Sequence, residues 1–234
     1  MKKILLYSLL LTLFCGVVSC DKESEDISTL TSYVTIVLEG GDVVYHPKGT
    51  PWVDPGYTAD ENGADVTSSV TATTPDVDKI GSYTVTYSAT NTDGFTGSVS
   101  RKVVVYTPGL SDIDISGVFS GDVFRINTSD NSTRSFSDNE VVITKTSVPG
   151  LYQISDWIAG FYNVGYGYGA GYAFTGYFEM VSETEFRHIE SSNPWGDPAD
   201  DVVNWTYDAA TGGLSYHFMW LGKYDFAITL TKVE

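Results

Sequence analysis

Apolar and polar residues alternate along several short segments of the chain, and a period of two predicts β-strands. In residues 82–89, aromatic and aliphatic side chains occupy the odd positions and hydroxyl side chains the even ones. A strand with this pattern buries one face and exposes the other. The Asn-Thr-Asp-Gly sequence at 91–94 then predicts a turn, residues 99–106 predict another strand, and Pro108 with Gly109 ends this first group.

The second half of the chain carries eight more segments whose patterns predict strands, separated by clusters of Gly, Pro, Asn and Asp. The segments are 117–125, 141–145, 151–155, 173–181, 185–190, 202–207, 214–220 and 224–232. Sequential antiparallel strands on short connections form a meander, and about eight can close into a small barrel. In the last segment Phe226, Ile228 and Leu230 share one face, so we expect it to pack on a core and to pair with residues 214–220.

The first twenty residues follow a different pattern, with a cationic start at Lys2 and Lys3 and an apolar run over residues 4–14. This run is too short to span a bilayer and predicts a signal peptide over residues 1–19. The sequence Val-Val-Ser-Cys that ends at Cys20 resembles the lipobox of bacterial lipoproteins, whose cysteine is acylated. The resemblance implies an anchor of several acyl chains at Cys20, which holds firmly because each buried methylene contributes about 0.8 kcal/mol. An incidental cysteine in an ordinary signal peptide is the alternative.

The residues behind Cys20 are acidic and lack a hydrophobic period, which predicts a solvated tether over residues 20–32. An acidic run in this place resembles the surface-export signal of Bacteroidetes lipoproteins, and it implies a cell-surface location on the outer membrane. An anchor that faces the periplasm is the alternative. Because Cys15 lies in the segment that would be removed, we expect no disulfide.

Composition narrows the function classes. The chain has a formal net charge of -17, and this disfavours nucleic acid and anionic lipid headgroups as partners. Charged residues make up only 18% of the chain while aromatic residues reach 14%, which is typical of β-structure with many turns.

Two motifs of the first group of strands resemble the bacterial immunoglobulin-like repeat of cell-surface proteins. They are Trp-Val-Asp-Pro-Gly-Tyr-Thr-Ala at 52–59 and Gly-Ser-Tyr-Thr-Val-Thr-Tyr at 81–87, followed by the turn at 91–94 and Arg-Lys-Val-Val-Val at 101–105. The resemblance implies a spacer or stalk. The carboxylates that could supply oxygen ligands to Ca²⁺ are Asp54, Asp60, Glu61 and Asp65, but without EF-hand spacing they favour solvated turns, and we expect no metal site.

The second half resembles the C-terminal domain of a Bacteroidetes lipoprotein family in which an immunoglobulin-like module precedes a β-rich domain. The residues that carry this resemblance lie at 117–119, 152–157, 207–212 and 226–232. Such proteins are often associated with starch-utilisation-type glycan uptake systems, which implies glycan and uptake-system proteins as partners.

These observations together predict an all-β chain, an immunoglobulin-like β-sandwich followed by an antiparallel meander or small β-barrel-like domain. The expected order is signal peptide 1–19, tether 20–32, immunoglobulin-like domain 33–107, linker 108–114 and aromatic-rich β-barrel-like domain 115–234.

Glycines alternate with tyrosines after an Asp-Trp pair in residues 156–172. Aromatic rings stack on the C–H faces of sugars, and carboxylates accept hydrogen bonds from sugar hydroxyls. The expected ligand contacts in this segment are Asp156, Trp157, Tyr162, Tyr166 and Tyr168. The alternative is a twisted strand whose tyrosines pack on the barrel.

Two prolines, Pro194 and Pro198, exclude a regular strand and place Trp195 in a loop. Asp197 beside it could accept hydrogen bonds from sugar hydroxyls, and a solvated turn is the alternative. We expect Trp195 and Asp197 to bind ligand, whereas Trp205 and Trp220 fall in strand segments and should belong to the core.

Catalysis has little support in the sequence. Hydrolysis of a glycosidic bond needs two carboxylates at a defined separation, and the spacing of Glu179, Glu183, Glu185 and Glu190 favours exposed positions on a hairpin. The three histidines lack the ligand spacing of a zinc site. We expect a non-catalytic, cofactor-free surface lipoprotein that binds glycan as an accessory to a polysaccharide uptake system. A structural or adhesion protein whose tyrosines contact a protein partner is the alternative; exposed coplanar rings would favour sugar, and a contiguous apolar patch would favour protein.

Overall fold

The computed structural model describes residues 31–233. The predicted signal peptide, Cys20 and most of the predicted tether lie outside the described residues. Within residues 31–233, no helix has the length and apolar character needed to cross a membrane.

The N-terminal part of the described chain is a β-sandwich. Over residues 31–107 its strands are β1 (Thr35–Leu38), β2 (Val43–Pro47), β3 (Tyr57–Glu61), β4 (Ala64–Asp65), β5 (Thr71–Ala72), β6 (Gly81–Thr90) and β7 (Thr96–Tyr106), with a 3₁₀ turn at Thr67–Ser69. One sheet has the order β1-β3-β4 and the other β2-β7-β6-β5, with β2 and β7 parallel. Ile36 and Ala59 of the first sheet share one core with Val85 of the second. The predicted sandwich is therefore confirmed.

Strand β6 bears out the alternation read from its sequence. Val85, Tyr87 and Ala89 are buried, and β6 pairs with β7 along its whole length. The turn that follows is closed by Asn91, whose side-chain oxygen accepts a hydrogen bond from the Phe95 amide at 2.7 Å.

A buried arginine explains the Asp-Pro-Gly motif of this domain. The Arg101 guanidinium donates hydrogen bonds to the carbonyl oxygens of Glu39 and Gly56 at 2.7 and 2.8 Å. Asp54 lies 3.9 Å from Arg101 and accepts a hydrogen bond from the Tyr87 hydroxyl. A buried charge without partners costs several kcal/mol, so Asp54 and Gly56 act as structural partners of Arg101.

The C-terminal part is a barrel-like sheet. Over residues 115–233 its strands are β8 (Gly117–Asn127), β9 (Ser132–Lys145), β10 (Leu151–Ile154), β11 (Thr175–Ser182), β12 (Glu185–Ser192), β13 (Ala199–Asp208), β14 (Gly213–Trp220) and β15 (Tyr224–Lys232). The order is β12-β11-β10-β9-β8-β15-β14-β13, so every consecutive pair except β12 and β13 is joined, and β15 returns to β8. The predicted meander is confirmed.

A seam separates β12 from β13, and side chains bridge it. The Ala199 amide donates a hydrogen bond to the Ser191 hydroxyl at 3.0 Å. The rings of Phe186 and Trp205 stack across the seam, with centroids 5.2 Å apart and an angle of 12° between their planes. The sheet is therefore nearly closed.

Aromatic side chains fill the barrel. Phe226, Ile228 and Leu230 are buried and β15 pairs with β14, as the sequence predicted. Trp157 and Phe218 lie in the same core.

The two domains pack against each other beside the linker. Glu179 of β11 is buried and accepts hydrogen bonds from both the amide and the hydroxyl of Thr107. Lys102 of β7 forms an ion pair with Glu190 of β12 at 2.7 Å, and its ammonium lies 5.5 Å from the ring centroid of Tyr177. These contacts fix the barrel against the outer face of the β2-β7-β6-β5 sheet.

Candidate functional site

The meander brings the predicted binding segments to one end of the barrel. Successive antiparallel connections alternate between the two ends, so the β8–β9, β10–β11, β12–β13 and β14–β15 connections share one end. Residues 155–174 form the β10–β11 connection and residues 193–198 the β12–β13 connection. The two tyrosine- and tryptophan-bearing loops are therefore neighbours.

The β10–β11 connection folds as compact turns and not as the alternative twisted strand. It contains a π-helical turn at Phe161–Gly165 and a 3₁₀ turn at Ala170–Tyr172. Ala159 precedes the π-turn with a φ of 45°, a left-handed conformation that costs energy for a residue with a side chain. Single π-helical turns are frequent at functional sites.

Asp156 ties together both ends of this connection. Its carboxylate accepts hydrogen bonds from the amides of Ile158 at 3.1 Å and of Gly160 and Phe174 at 3.2 Å. The Trp157 amide donates to the Phe174 carbonyl oxygen at 2.7 Å. Burial raises the pKa of Asp156 to about 7, although the three amide donors oppose the shift.

Asp156 and Trp157 do not contact solvent, and the prediction that they bind ligand directly is wrong. Asp156 is 2% exposed and Trp157 is 0% exposed. The Trp157 indole donates a hydrogen bond to the Glu190 carbonyl oxygen at 3.0 Å and packs edge-on against Phe178 and Tyr216. The chain turns into the barrel directly after β10, so this pair forms the base of the loop.

The other predicted residues of the segment meet Trp195. Tyr162 is half-buried, and its ring centroid lies 5.0 Å from that of Trp195 and 6.1 Å from that of Tyr168. Tyr166, Tyr168 and Trp195 are 40%, 51% and 43% exposed. Asp197 is also exposed and lies two residues from Trp195 in the same loop. The predictions for these residues stay open to experiment.

Tyr172 was missed by the sequence analysis and completes the cluster. Its ring lies 5.2 Å from that of Tyr168 and 5.3 Å from that of Trp195, and it is 36% exposed. Its place in the same Gly-Tyr repeat was the available signal. We call the set Tyr162, Tyr166, Tyr168, Tyr172 and Trp195 the aromatic surface.

The exposed rings of the aromatic surface are tilted and not coplanar. The interplanar angle is 40° between Tyr166 and Tyr168, 66° between Tyr168 and Tyr172, and 61° between Tyr172 and Trp195. A glycan chain with one flat face cannot stack on all of these rings at once. Each ring instead offers a separate facet to a sugar or to an apolar side chain.

The strand carboxylates are divided between two environments. Glu183 and Glu185 are exposed, as the sequence predicted, but Glu179 and Glu190 lie at the domain junction, and the prediction of exposed positions is wrong for these two. The sequence pattern could not show that the other domain covers this part of the sheet. Across the described residues, no group of three or more His, Cys, Asp and Glu side chains is arranged to hold a metal ion.

Comparisons with known proteins agree with this two-domain organisation. A family model for the Ig-like domain of bacterial surface proteins matches residues 36–105, and a model for a C-terminal domain matches residues 107–232. A lipoprotein of Bacteroides thetaiotaomicron, known from its crystal structure, is 35% identical over 86% of this chain and 100% of its own, with a TM-score of 0.47. The chain belongs to this lipoprotein family. Membership rests on the identity along the full relative and not on the structural overlap, and it confirms the resemblance read from the sequence.

More distant matches add nothing on function. Two structures of Clostridium perfringens ZmpB also align with this chain. One, with CBM51-2 in complex with GlcNAc and INT domains, is 16% identical over 86% of this chain and 44% of its own, with a TM-score of 0.29. The other, the M60 catalytic domain with CBM51-1 and CBM51-2, is 18% identical over 87% of this chain and 21% of its own, with a TM-score of 0.31. Overlaps of this size carry no argument. No curated protein matches the chain.

Proposed function

We propose that this lipoprotein binds glycan at the cell surface, without catalysis, as an accessory to a polysaccharide uptake system. The observation that carries the proposal is the aromatic surface, in which two loops present four exposed rings side by side. Tyrosine and tryptophan suit sugar recognition because their broad faces stack on C–H groups and their two side-chain torsions cost little entropy to fix.

The base of the β10–β11 connection supports a binding role because it fixes the aromatic rings although its own conformation is energetically unfavourable. Asp156 is a buried carboxylate and Ala159 has a left-handed backbone. Unfavourable features of this kind persist where the surrounding structure enforces them, and they concentrate at ligand sites.

The anchor and the carboxylates support the remaining parts of the proposal. Acyl chains at Cys20 would hold the protein on the outer membrane, and the acidic tether favours its outer face. Glu179 and Glu190 are held by partners at the domain junction, which leaves them unsuited to acid–base chemistry on a glycan. The protein would capture its ligand without turnover.

The test is binding of the acyl-free chain, from residue 21 onward, to a glycan array and to polysaccharides in affinity electrophoresis. Tyr168→Ala and Trp195→Ala should each lower affinity at least tenfold. The matched control is Tyr33→Ala, because Tyr33 is an exposed aromatic residue of the other domain, and it should leave affinity unchanged. A folded chain that binds no glycan would refute the proposal.

A protein partner is the second candidate, and the tilt between the rings favours it. Val164, which is exposed within the π-turn, and Leu221, which is exposed next to Trp220, extend the apolar character of this end of the barrel. If no glycan binds, a photo-crosslinker at position 168 should capture one defined outer-membrane protein in cells. Trp195→Ala should abolish this crosslink and Tyr33→Ala should preserve it.

A further inference from the structure

Two arginines lie opposite each other on the β8–β9 hairpin. Arg125 and Arg134 are directly paired across the two strands, and Val123 and Phe136 form the next pair on the same face. Like charges at directly opposed positions destabilise a sheet. The two positive charges are therefore unfavourable unless a group that offsets their repulsion lies nearby.

Both guanidinium groups lie over aromatic rings at the site end of the barrel. The Arg134 guanidinium carbon lies 5.1 Å from the ring centroid of Phe136 and 5.2 Å from that of Tyr166. The Arg125 guanidinium carbon lies 5.6 Å from the centroid of Phe161 and 5.3 Å from that of Tyr224. Arg134 thus borders the aromatic surface directly, through Tyr166.

The described part of the chain supplies no carboxylate ion pair to either arginine. Its ion pairs involve Arg101, Lys102, Lys145, Arg187 and His217. The Nε of Arg125 is buried and has no hydrogen-bond partner among the described residues. Asp130, in the hairpin turn, accepts instead from the Ser132 amide at 2.8 Å.

Arg125 and Arg134 have no ion pair among the described residues although the chain is rich in carboxylates. The chain has 30 acidic residues against 13 lysines and arginines, so an arginine has many potential carboxylate partners. A third cation, Lys223, lies 4.9 Å from the ring centroid of Tyr224 on the adjacent strand. The cations Arg125, Arg134 and Lys223 therefore lie on the β8–β9 and β15 side of the aromatic surface. The acidic residue Asp197 lies instead on the Trp195 loop.

We infer that Arg125 and Arg134 form an anion subsite of the aromatic surface, and that the glycan bound there carries an anionic substituent, a sugar carboxylate or a sulfate ester. This inference rests on the proposed function. A guanidinium presents its donors in a planar fork that matches the oxygens of both groups. The sugar that bears the anion would stack on Tyr166, which Arg134 already contacts.

The test compares anionic polysaccharides with chemically neutralised forms of the same polymers, by affinity electrophoresis and calorimetry. Wild type should bind the anionic form at least tenfold more tightly. Carboxyl reduction of a uronate polymer and desulfation of a sulfated polymer distinguish the two sources of the anion. Arg134→Gln is the diagnostic variant because Arg134 is exposed and its replacement should leave the fold intact.

Arg134→Gln should lower affinity for the anionic polymer about tenfold, the usual scale for a charge-assisted hydrogen bond, and should leave the neutralised polymer unaffected. Arg134→Lys, which keeps the charge but not the fork, should retain part of the affinity. Lys79→Gln, a loss of charge on the other domain, is the matched control and should change affinity less than twofold.

The outcomes separate the two proposals. Equal binding of anionic and neutralised polymers, with no effect of Arg134→Gln, would overturn the anion subsite and leave glycan binding in place. Equal losses of anionic affinity in Arg134→Gln and Lys79→Gln would also overturn it, because the effect would then reflect net charge alone. A folded chain that binds no polymer, charged or neutral, would overturn both.

Discussion

Gly165 ends the π-turn, and the Phe136 ring of the β8–β9 hairpin leaves no room for a side chain at this position. A Cβ at this position would lie 2.4 Å from Cδ2 and 2.5 Å from Cε2 of Phe136. The Phe136 ring is held by edge contacts with Phe161 and Tyr166 at centroid distances of 5.3 and 5.7 Å. A Gly165→Ala side chain can therefore fit only if this ring or the π-turn moves.

The expected cost follows from the steric overlap, since Gly165 has no left-handed φ that would add backbone strain. Forcing an extra carbon into a packed contact usually costs about 1–3 kcal/mol, and we expect Gly165→Ala to lower the free energy of unfolding by this amount. Because the Phe136 ring contacts Tyr166, its displacement should also move Tyr166, and glycan affinity should therefore fall as well.

Gly171 supplies the matched control in the same connection. A Cβ there meets no atom within 4 Å and the residue also lacks a left-handed φ, so Gly171→Ala should change stability by less than about 1 kcal/mol. Urea unfolding followed by tryptophan fluorescence measures both variants. In a Phe136→Ala background the cost of Gly165→Ala should fall below about 0.5 kcal/mol. Equal costs for the two glycine variants, or no relief in that background, would refute the steric explanation.

Three further predictions concern buried groups. Because burial raises the folded-state pKa of Asp156 from 3.8 to about 7, its contribution to stability is fully present below about pH 4 and is lost as pH rises to 7. The loss amounts to about 4 kcal/mol, so the stability difference between wild type and Asp156→Asn should shift by this amount in urea unfolding over that range; a constant difference would contradict the shift. Glu179→Gln places an amide donor against the donors of Thr107, and it should cost about 1–3 kcal/mol and speed proteolysis of the linker; unchanged proteolysis would argue against a junction role. Gly176→Ala places a Cβ 1.8 Å from the Glu190 carbonyl oxygen, and it should destabilise the barrel by more than about 3 kcal/mol; a smaller loss of thermal stability than that of Gly165→Ala would contradict this.

The sequence predicted the strands wherever one face is buried and the other exposed. β15 satisfies this condition, with Phe226 inside and Thr229 outside. The first half of β9 does not, because residues 132–138 are mostly polar and exposed, and only Phe136 among them packs against the core. Their strand structure comes from pairing with β8, and composition alone gives no periodic signal for it.

The candidate site was only partly predictable for a similar reason. The prolines around Trp195 correctly excluded a regular strand and placed this ring on a loop, whereas the glycines around Tyr168 left a twisted strand as an open alternative. Trp157 precedes the tyrosines in sequence but does not share their exposure, because residues 156–161 are all buried and Tyr162 is the first residue after them with an accessible side chain. The pairing of Arg125 with Arg134 depends on the register of the β8–β9 hairpin, and the polar sequence of residues 132–135 gives no periodic signal for that register.

Stability and the proposed glycan binding should be separable in this protein, because the proposal assigns them to different residues of one loop. Asp156 and Trp157 form the buried base, so their replacement disturbs the core and alters binding only as a consequence. Tyr168 makes its ring contacts within the aromatic surface and is more than half exposed, so its loss should cost little stability, as surface substitutions generally do. A loss of binding in Tyr168→Ala therefore reports on ligand contact, whereas the same loss in Asp156→Asn reports on the geometry of the loop. If both variants lowered stability equally, the base and the surface would form one cooperative unit, and binding data on single substitutions could not be assigned to contacts.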